Sequence, residues 1–248
     1  MLIQNFYKES KLQTIYLIRH AQANFLGGTE NYDQLSDLGK KQAELLANSF
    51  RANMICPDVI CTGTLQRHKE TAHPIINQFI STPIKVHEYT DLNEFSSSLW
   101  QKLAFILKEK DSHFAKELEA LHIAQSLNQK KAVIYFFKVT NILLEKWKAG
   151  LTPLGEESYI DFKTRILKFK DSLREFKKAK HILVFSSGTP ISILISSFLD
   201  MESSRELEWM YGLWNTSVSI FKGKHFKFKP ISINSLPHIQ NLEEKTVV

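Results

Sequence analysis

Apolar positions along the chain follow two patterns. Three times a short apolar run gives way to small or polar residues and then to apolar residues spaced three and four apart, the signature of β-α units in a parallel sheet. The first run covers 14–18 and, after the stretch from Arg19 to Asp37, leads into a helix with Ala43, Leu46, Ala47 and Phe50 on one face. The second covers 59–61 and passes through Thr62-Gly63-Thr64 into a helix beginning near Leu65. Pro74 falls inside that helix and is expected to kink or split it, since proline lacks the N–H that the ladder needs. The third covers 182–185 and runs through Ser186-Ser187-Gly188, with Thr189 predicted as N-cap and Pro190 at the first helical position. Further strands are predicted at 84–89, 216–221 and, more weakly, 226–233, for a sheet of about six.

Between 99 and 150 the strand signal disappears and only helical stripes remain, such as Val133, Phe136, Phe137, Thr140, Leu144 and Trp147. The following helix, 156–176, carries a single stripe of Tyr159, Phe162, Ile166, Phe169, Leu173 and Phe176, which faces a core and needs no ligand. The expectation is an α/β fold, a three-layer α/β/α sandwich with a mostly parallel sheet. It forms one domain over 1–248, with a helical insertion or cap at about 99–150. The first dozen residues and the tail after Pro237 read as loose ends.

Composition narrows the function. With 248 residues, 43% of them hydrophobic, the chain can bury a sizeable core. Its net charge of +6 is spread over 32 basic and 26 acidic residues, a mild bias without a patch that suits anionic small molecules as well as nucleic acid, and no nucleic-acid partner is expected. Cys56 and Cys61 have neither a disulfide framework's number nor a metal site's spacing. His68 and His73, five apart, do not share a helical face and are expected to be packing or surface residues. No metal or organic cofactor is expected. No apolar run reaches signal-peptide or membrane-spanning length, so the expected location is cytoplasmic, with no membrane partner.

Ligands of open parallel sheets bind beyond the carboxyl ends of the strands, a rule that gathers Arg19, His20, Arg67 and Ser187 in one crevice. Those residue types suit phosphoryl transfer. Two guanidinium groups can clamp a dianion through their planar forks, and the helix start near Pro190 can add N–H groups. Positive charge beside His20 disfavours its imidazolium form and leaves a neutral ring able to attack phosphorus, giving a phosphoramidate that water then cleaves. Glu94, in Asp91-Leu92-Asn93-Glu94-Phe95, is chosen as proton donor, with Glu88 and Asp91 close enough to serve instead. Ser36 or Asn24 could line the entrance. Two other readings stay open at this point. Arg67 could be a surface residue paired with Glu70. Cys61 and Arg67 also have the Cys-x5-Arg spacing of a thiolate mechanism, although Cys61 belongs to an apolar run behind Ile60.

These motifs resemble the histidine phosphatase superfamily, also called phosphoglycerate mutase-like. Leu17-Ile18-Arg19-His20-Ala21-Gln22 is similar to its Arg-His-Gly signature, with Ala21 in place of glycine. Leu35-Ser36-Asp37-Leu38-Gly39 resembles the opening of its first helix, and Thr62-Gly63-Thr64-Leu65-Gln66-Arg67 the stretch carrying its second phosphate arginine. Leu92-Asn93-Glu94 resembles the place of its acid/base glutamate, Gly155-Glu156-Glu157-Ser158 a later segment, and Asn215-Thr216-Ser217-Val218 the start of a late strand. The matches keep family order from about residue 14 to 221. The resemblance implies a phosphatase that acts through phosphohistidine at His20 on a small phosphorylated substrate. One departure stands out, because the family's second histidine, in a Ser-His-Gly context, is here Ser187. Loss of a charge-assisted contact costs about 1.5–3 kcal/mol at the transition state. That implies weakened hydrolysis, or a pseudo-phosphatase that binds a phosphorylated ligand or partner protein. A homodimer is expected if the insertion leaves an apolar face exposed.

Overall fold

The structure is a computed structural model that describes residues 12–24, 33–79, 84–127, 131–224 and 227–247. The sheet has six strands, β1 (Gln13–Arg19), β2 (Val59–Thr62), β3 (Lys85–Glu88), β4 (His181–Ser186), β5 (Val218–Lys224) and β6 (Lys227–Ser235), in the order β3-β2-β4-β1-β5-β6. The first four in that order are parallel, and β5 and β6 add an antiparallel edge. This is the expected α/β class with a mostly parallel sheet. Residue 226, the predicted start of the last strand, lies outside the described residues.

Strand register positions the chemistry. Arg19 at the end of β1 pairs with Ser186 at the end of β4. The next residues, His20 and Ser187, therefore leave the sheet side by side, and the His20 N–H donates to the Ser186 carbonyl at 2.9 Å.

Helix α1 (Asp37–Ala52) and helix α2 (Gln66–Asn77) cover one face of the sheet, where Leu46, Phe50 and Ile75 pack on Tyr16, Ile18, Ile60, Leu183 and Phe185. Ile15 and Leu17 have the opposite parity along β1 and are equally buried, as expected of a strand covered on both sides. Ser36 caps α1 by accepting from the Gly39 N–H at 3.0 Å. Helix α2 continues through Pro74 to Asn77 rather than splitting. Proline removes one ladder bond, while the buried face of Thr71, Ala72 and Ile75 spans the break and holds both parts.

Two other boundaries differ from expectation. In the helix after β4 the N-cap is Ser187, not Thr189, and Pro190 is the third helical residue, still within the turn whose N–H groups lack helical partners. Strand β5 begins at Val218 because Thr216 has a φ of 58°, a left-handed conformation no strand residue adopts.

Contacts divide the chain into two compact units, Met1–Glu94 with Ile166–Val248, and Phe95–Arg165. The second is the helical insertion, wider than the sequence pattern indicates. It contains α3 (Ser97–Lys110), α4 (Ser112–Ser126) and α5 (Ala132–Lys148), joined by short turns. Trp147 is fully buried there among Phe95, Tyr159 and Phe162. The predicted stripe of helix α6 (Tyr159–Ser172) is buried at Tyr159, Phe162, Ile166 and Phe169, and Leu173 continues it in a 3-10 turn.

Candidate active site

His20 is almost completely buried, and its Nδ1 lies 2.7 Å from the carbonyl oxygen of Ala21. That acceptor requires a proton on Nδ1, so the neutral ring keeps its lone pair on Nε2. The backbone around it is tied down. Asn215 Nδ2 donates to the His20 carbonyl at 3.0 Å, and the Thr216 N–H donates to the Arg19 carbonyl at 3.1 Å. The Ala21 N–H donates to Thr71 Oγ1 at 3.0 Å, and that hydroxyl donates to the Arg67 carbonyl at 2.6 Å, which couples the turn after β1 to α2. Burial, more than any charge, holds the His20 pKa well below the usual histidine value, and Arg67, Arg19 and His68 lower it further.

Arg67 is buried on α2. Its Nη1 pairs with Asp33 Oδ1 at 2.7 Å, and its Nη2 reaches Ser187 Oγ at 3.5 Å. The other Asp33 oxygen accepts from the Gln66 N–H at 2.8 Å, so one carboxylate serves both the helix start and the arginine. Glu70 instead accepts from the Leu35 N–H at 2.8 Å, which replaces the reading of Arg67 as a surface partner of Glu70. Arg19 donates from Nη1 to the Leu213 carbonyl and from Nη2 to the Val247 carbonyl, the latter at 2.7 Å. Its Nε faces the start of helix α7 (Gly188–Phe198), 3.7 Å from where a Cβ on Gly188 would lie.

Ser187 is 1% exposed and caps α7 with its backbone alone. Glu94 reaches the same helix start, where its Oε2 accepts from the Thr189 N–H at 3.1 Å. Of the neighbouring carboxylates, Glu88 is taken up by Lys69 at 2.7 Å. The start of α7 thus gathers Ser187, Glu94 and the Nε edge of Arg19, while Arg67 reaches Ser187 from α2.

Two parts of the site are not anticipated by the sequence reading. His68, expected as a packing or surface residue, is fully buried with its ring centroid 5.7 Å from that of His20. Its Nε2 lies 2.7 Å from Ser187 Oγ. Its Nδ1 presses against Gly63, where an added Cβ would come within 2.1 Å, so only glycine fits that turn. His73 is exposed beside Asn77, as expected. The second part is the tail after Pro237, which is anchored rather than loose. Thr246 accepts at its carbonyl from the Asn215 N–H at 2.8 Å, and Gln42 Nε2 donates to the Glu244 carbonyl at 2.7 Å.

Other candidates are taken up elsewhere. Ser36 is committed to its cap and donates to Gln22 Oε1 at 2.8 Å, while Asn24 donates its N–H to the Gln34 carbonyl at 2.8 Å. Cys61 is fully buried in β2, and burial pushes its thiol up to about 12, which removes the thiolate on which the Cys-x5-Arg mechanism depends. Among the described residues no three histidine, cysteine or acidic side chains group as a metal site, and no helix is long and apolar enough to cross a membrane.

Comparison with known proteins agrees with this fold. YhfR of Bacillus stearothermophilus superposes with a TM-score of 0.64 at 19% identity, over 91% of this chain and 98% of that one. Phosphoglycerate mutase of Bacillus anthracis gives 0.62 at 19% identity, over 93% and 97%. Phosphoserine phosphatase of Entamoeba histolytica, solved with 3-phosphoglyceric acid, gives 0.59 at 21% identity, over 91% and 98%. These likenesses establish the fold. Among curated protein sequences none matches the chain. The family model of the histidine phosphatase superfamily, branch 1, matches residues 15–128 and 140–235, and the chain therefore belongs to that superfamily.

Proposed function

We propose that the protein hydrolyses a small phosphomonoester through a phosphohistidine on His20, without metal or organic cofactor. The observation that carries this reading is the 2.7 Å contact from His20 Nδ1 to the Ala21 carbonyl. It leaves Nε2 as the nitrogen with a lone pair, in a ring that burial keeps neutral. In the first step Nε2 forms a bond to phosphorus as the ester P–O bond breaks, and Glu94 gives its proton to the leaving oxygen. In the second, water attacks phosphorus, the P–N bond breaks, orthophosphate leaves and Glu94 takes the water proton.

Arg67 and the Nε edge of Arg19 supply the positive charge for the dianion, and the start of α7 adds its dipole. The carbonyls of Leu213 and Val247 hold the fork of Arg19, so its role is a fixed charge more than a bidentate grip. A hydroxyl at Ser187 in place of an imidazole makes turnover slower than a histidine there would allow. The same feature favours a second reading, a pseudo-phosphatase that binds a phosphorylated ligand or partner without cleaving it. A cytoplasmic location fits the two free cysteines, Cys56 and Cys61.

Rapid quenching with an aryl phosphomonoester, followed by mass spectrometry at mildly alkaline pH, is expected to find one phosphoryl group on His20. His20→Ala should remove it and lower turnover about a thousand-fold or more. Undiminished turnover by a folded His20→Ala protein would exclude the nucleophile. Binding of phosphate without turnover by the unaltered protein would select the second reading.

A further inference from the structure

Building on that reading of the site, we propose that His68 is a positioning residue that, with Ser187, forms one phosphoryl-holding unit. The imidazole fixes the serine hydroxyl, and the hydroxyl takes a phosphoryl oxygen.

Three observations lead there. His68 is fully buried, a costly place for an imidazole, and the side chain it bonds is Ser187 at 2.7 Å, on an element distant in sequence. Its ring stands 5.7 Å from the His20 ring, beside the proposed nucleophile. Gly63 lacks the Cβ that would exclude its Nδ1, so the turn after β2 is shaped to admit the ring.

Close contact at Nδ1 selects the tautomer for the proposed unit. Nδ1 sits against Gly63 with no hydrogen-bond partner, where a bare nitrogen fits more closely than an N–H, and the proposed unit therefore carries its proton on Nε2 and donates it to Ser187 Oγ. Burial and the Arg67 charge keep the ring in that neutral form. A hydroxyl has two lone pairs and one proton. One lone pair of Ser187 is engaged by His68 at 2.7 Å, and the second is approached by Arg67 Nη2 at 3.5 Å. Its proton must then point away from both donors. Ser187 and His20 each stand one residue beyond the paired ends of β4 and β1, and Ser187 Oγ lies 2.7 Å from an imidazole whose ring centre is 5.7 Å from that of His20, so the proposed O–H is directed toward a phosphoryl oxygen on Nε2. The unit thus supplies a directed O–H, which a lone serine, free to rotate, would supply only part of the time.

A double-mutant cycle tests this, using turnover of an aryl phosphomonoester, affinity for vanadate, and thermal melting to verify folding. His68→Ala and Ser187→Ala should each lower kcat about 10- to 100-fold, and the double variant should be no slower than Ser187→Ala alone. His68→Gln, whose side-chain amide offers an N–H near the Nε2 position without titrating, should recover most of the loss. Independent, multiplying losses overturn the proposal. So does a His68→Gln protein as impaired as His68→Ala, or a folded His68→Ala protein with unchanged kcat and vanadate affinity. If His68→Ala fails to fold, His68→Gln with and without Ser187→Ala completes the cycle. Should the unaltered protein bind vanadate yet neither turn over nor phosphorylate His20, hydrolysis is wrong, and the His68–Ser187 pair stands or falls on the same cycle in vanadate affinity. Absence of vanadate binding by the unaltered protein overturns both.

Discussion

The sheet unit and the helical unit bury different kinds of side chain. Among the described residues, every buried polar or charged side chain except Thr140 lies in the sheet unit. Gln42, Arg67, His68, Thr71, Ser187 and Asn215 are within the sheet unit's interior and bonded to one another or to main chain near His20. The helical unit is filled by Leu103, Phe114, Leu118, Leu143 and Trp147, with Thr140 accepting from Trp100 Nε1 at 3.2 Å. A buried polar group must be hydrogen-bonded to be tolerated, and a connected set of such groups holds one geometry. The contrast separates the unit that holds the proposed site from the unit held by packing.

The largest effect that would test this division is expected in the helical unit. Trp147 is fully buried, packs edge-on against Phe95 and Tyr159, and donates its Nε1–H to the Glu157 carbonyl at 2.9 Å. Trp147→Ala should cost about 3–5 kcal/mol, the range for losing a large core aromatic. Hydrogen exchange should report lost protection across residues 95–165 and retained protection in β1 and β4. A uniform loss over both would show that the units unfold as one.

Acidification should act on the other unit, where the share of any one histidine is smaller than the Trp147→Ala effect. Burial lowers the pKa of His20, His68 and His181, and lowers His238 to about 4, all in the sheet unit. For such a base the unfolded chain takes up its proton first, near pH 6.5, while the folded protein resists until its own depressed value. Stability contributed by the neutral form is therefore complete above about pH 6.5 and is lost as pH falls toward 4. His238 alone should account for about 2 kcal/mol between pH 7 and pH 5. Melting at those two pH values should show the drop, and His238→Gln should reduce it. An equal drop with His238→Gln would place the proton uptake elsewhere.

The same contrast explains how much could be read from the sequence. An apolar run that stops at Arg19 is enough to predict β1, and the strand-end rule brings His20 and Ser187 together because parallel strands align their carboxyl ends. Helical spacing marks the buried face of α1 at Ala43, Leu46, Ala47 and Phe50. Polar burial is not legible in this way. His68 lies beside Arg67 on α2, and nothing in the spacing shows that the helix turns it toward Ser187, 119 positions later. The anchoring of the tail rests on Gln42 and Asn215 meeting main-chain groups of Glu244 and Thr246, contacts that leave no periodic trace. Sequence alone does not separate the candidate caps of α7, because Ser187 and Thr189 are both good cap residues, and the register of β4 against β1 decides between them.

A matched pair of helix caps gives the finest test of the division. Ser36 caps α1 in the sheet unit at 3.0 Å, and Ser96 caps α3 in the helical unit at 2.9 Å. Alanine at either position should cost about 1 kcal/mol, since each leaves one helix-end N–H without its acceptor. Their effects on catalysis should differ. Ser36 also donates to Gln22 Oε1 at 2.8 Å, two residues beyond His20, so Ser36→Ala loosens the turn that aims the imidazole and should lower kcat several-fold. Ser96 donates to Glu156 Oε2 at 2.8 Å, within its own unit, so Ser96→Ala should leave kcat unchanged. Equal losses of kcat from the two caps, measured at matched fractions of folded protein, would mean that the helical unit also sets the geometry of the reacting groups.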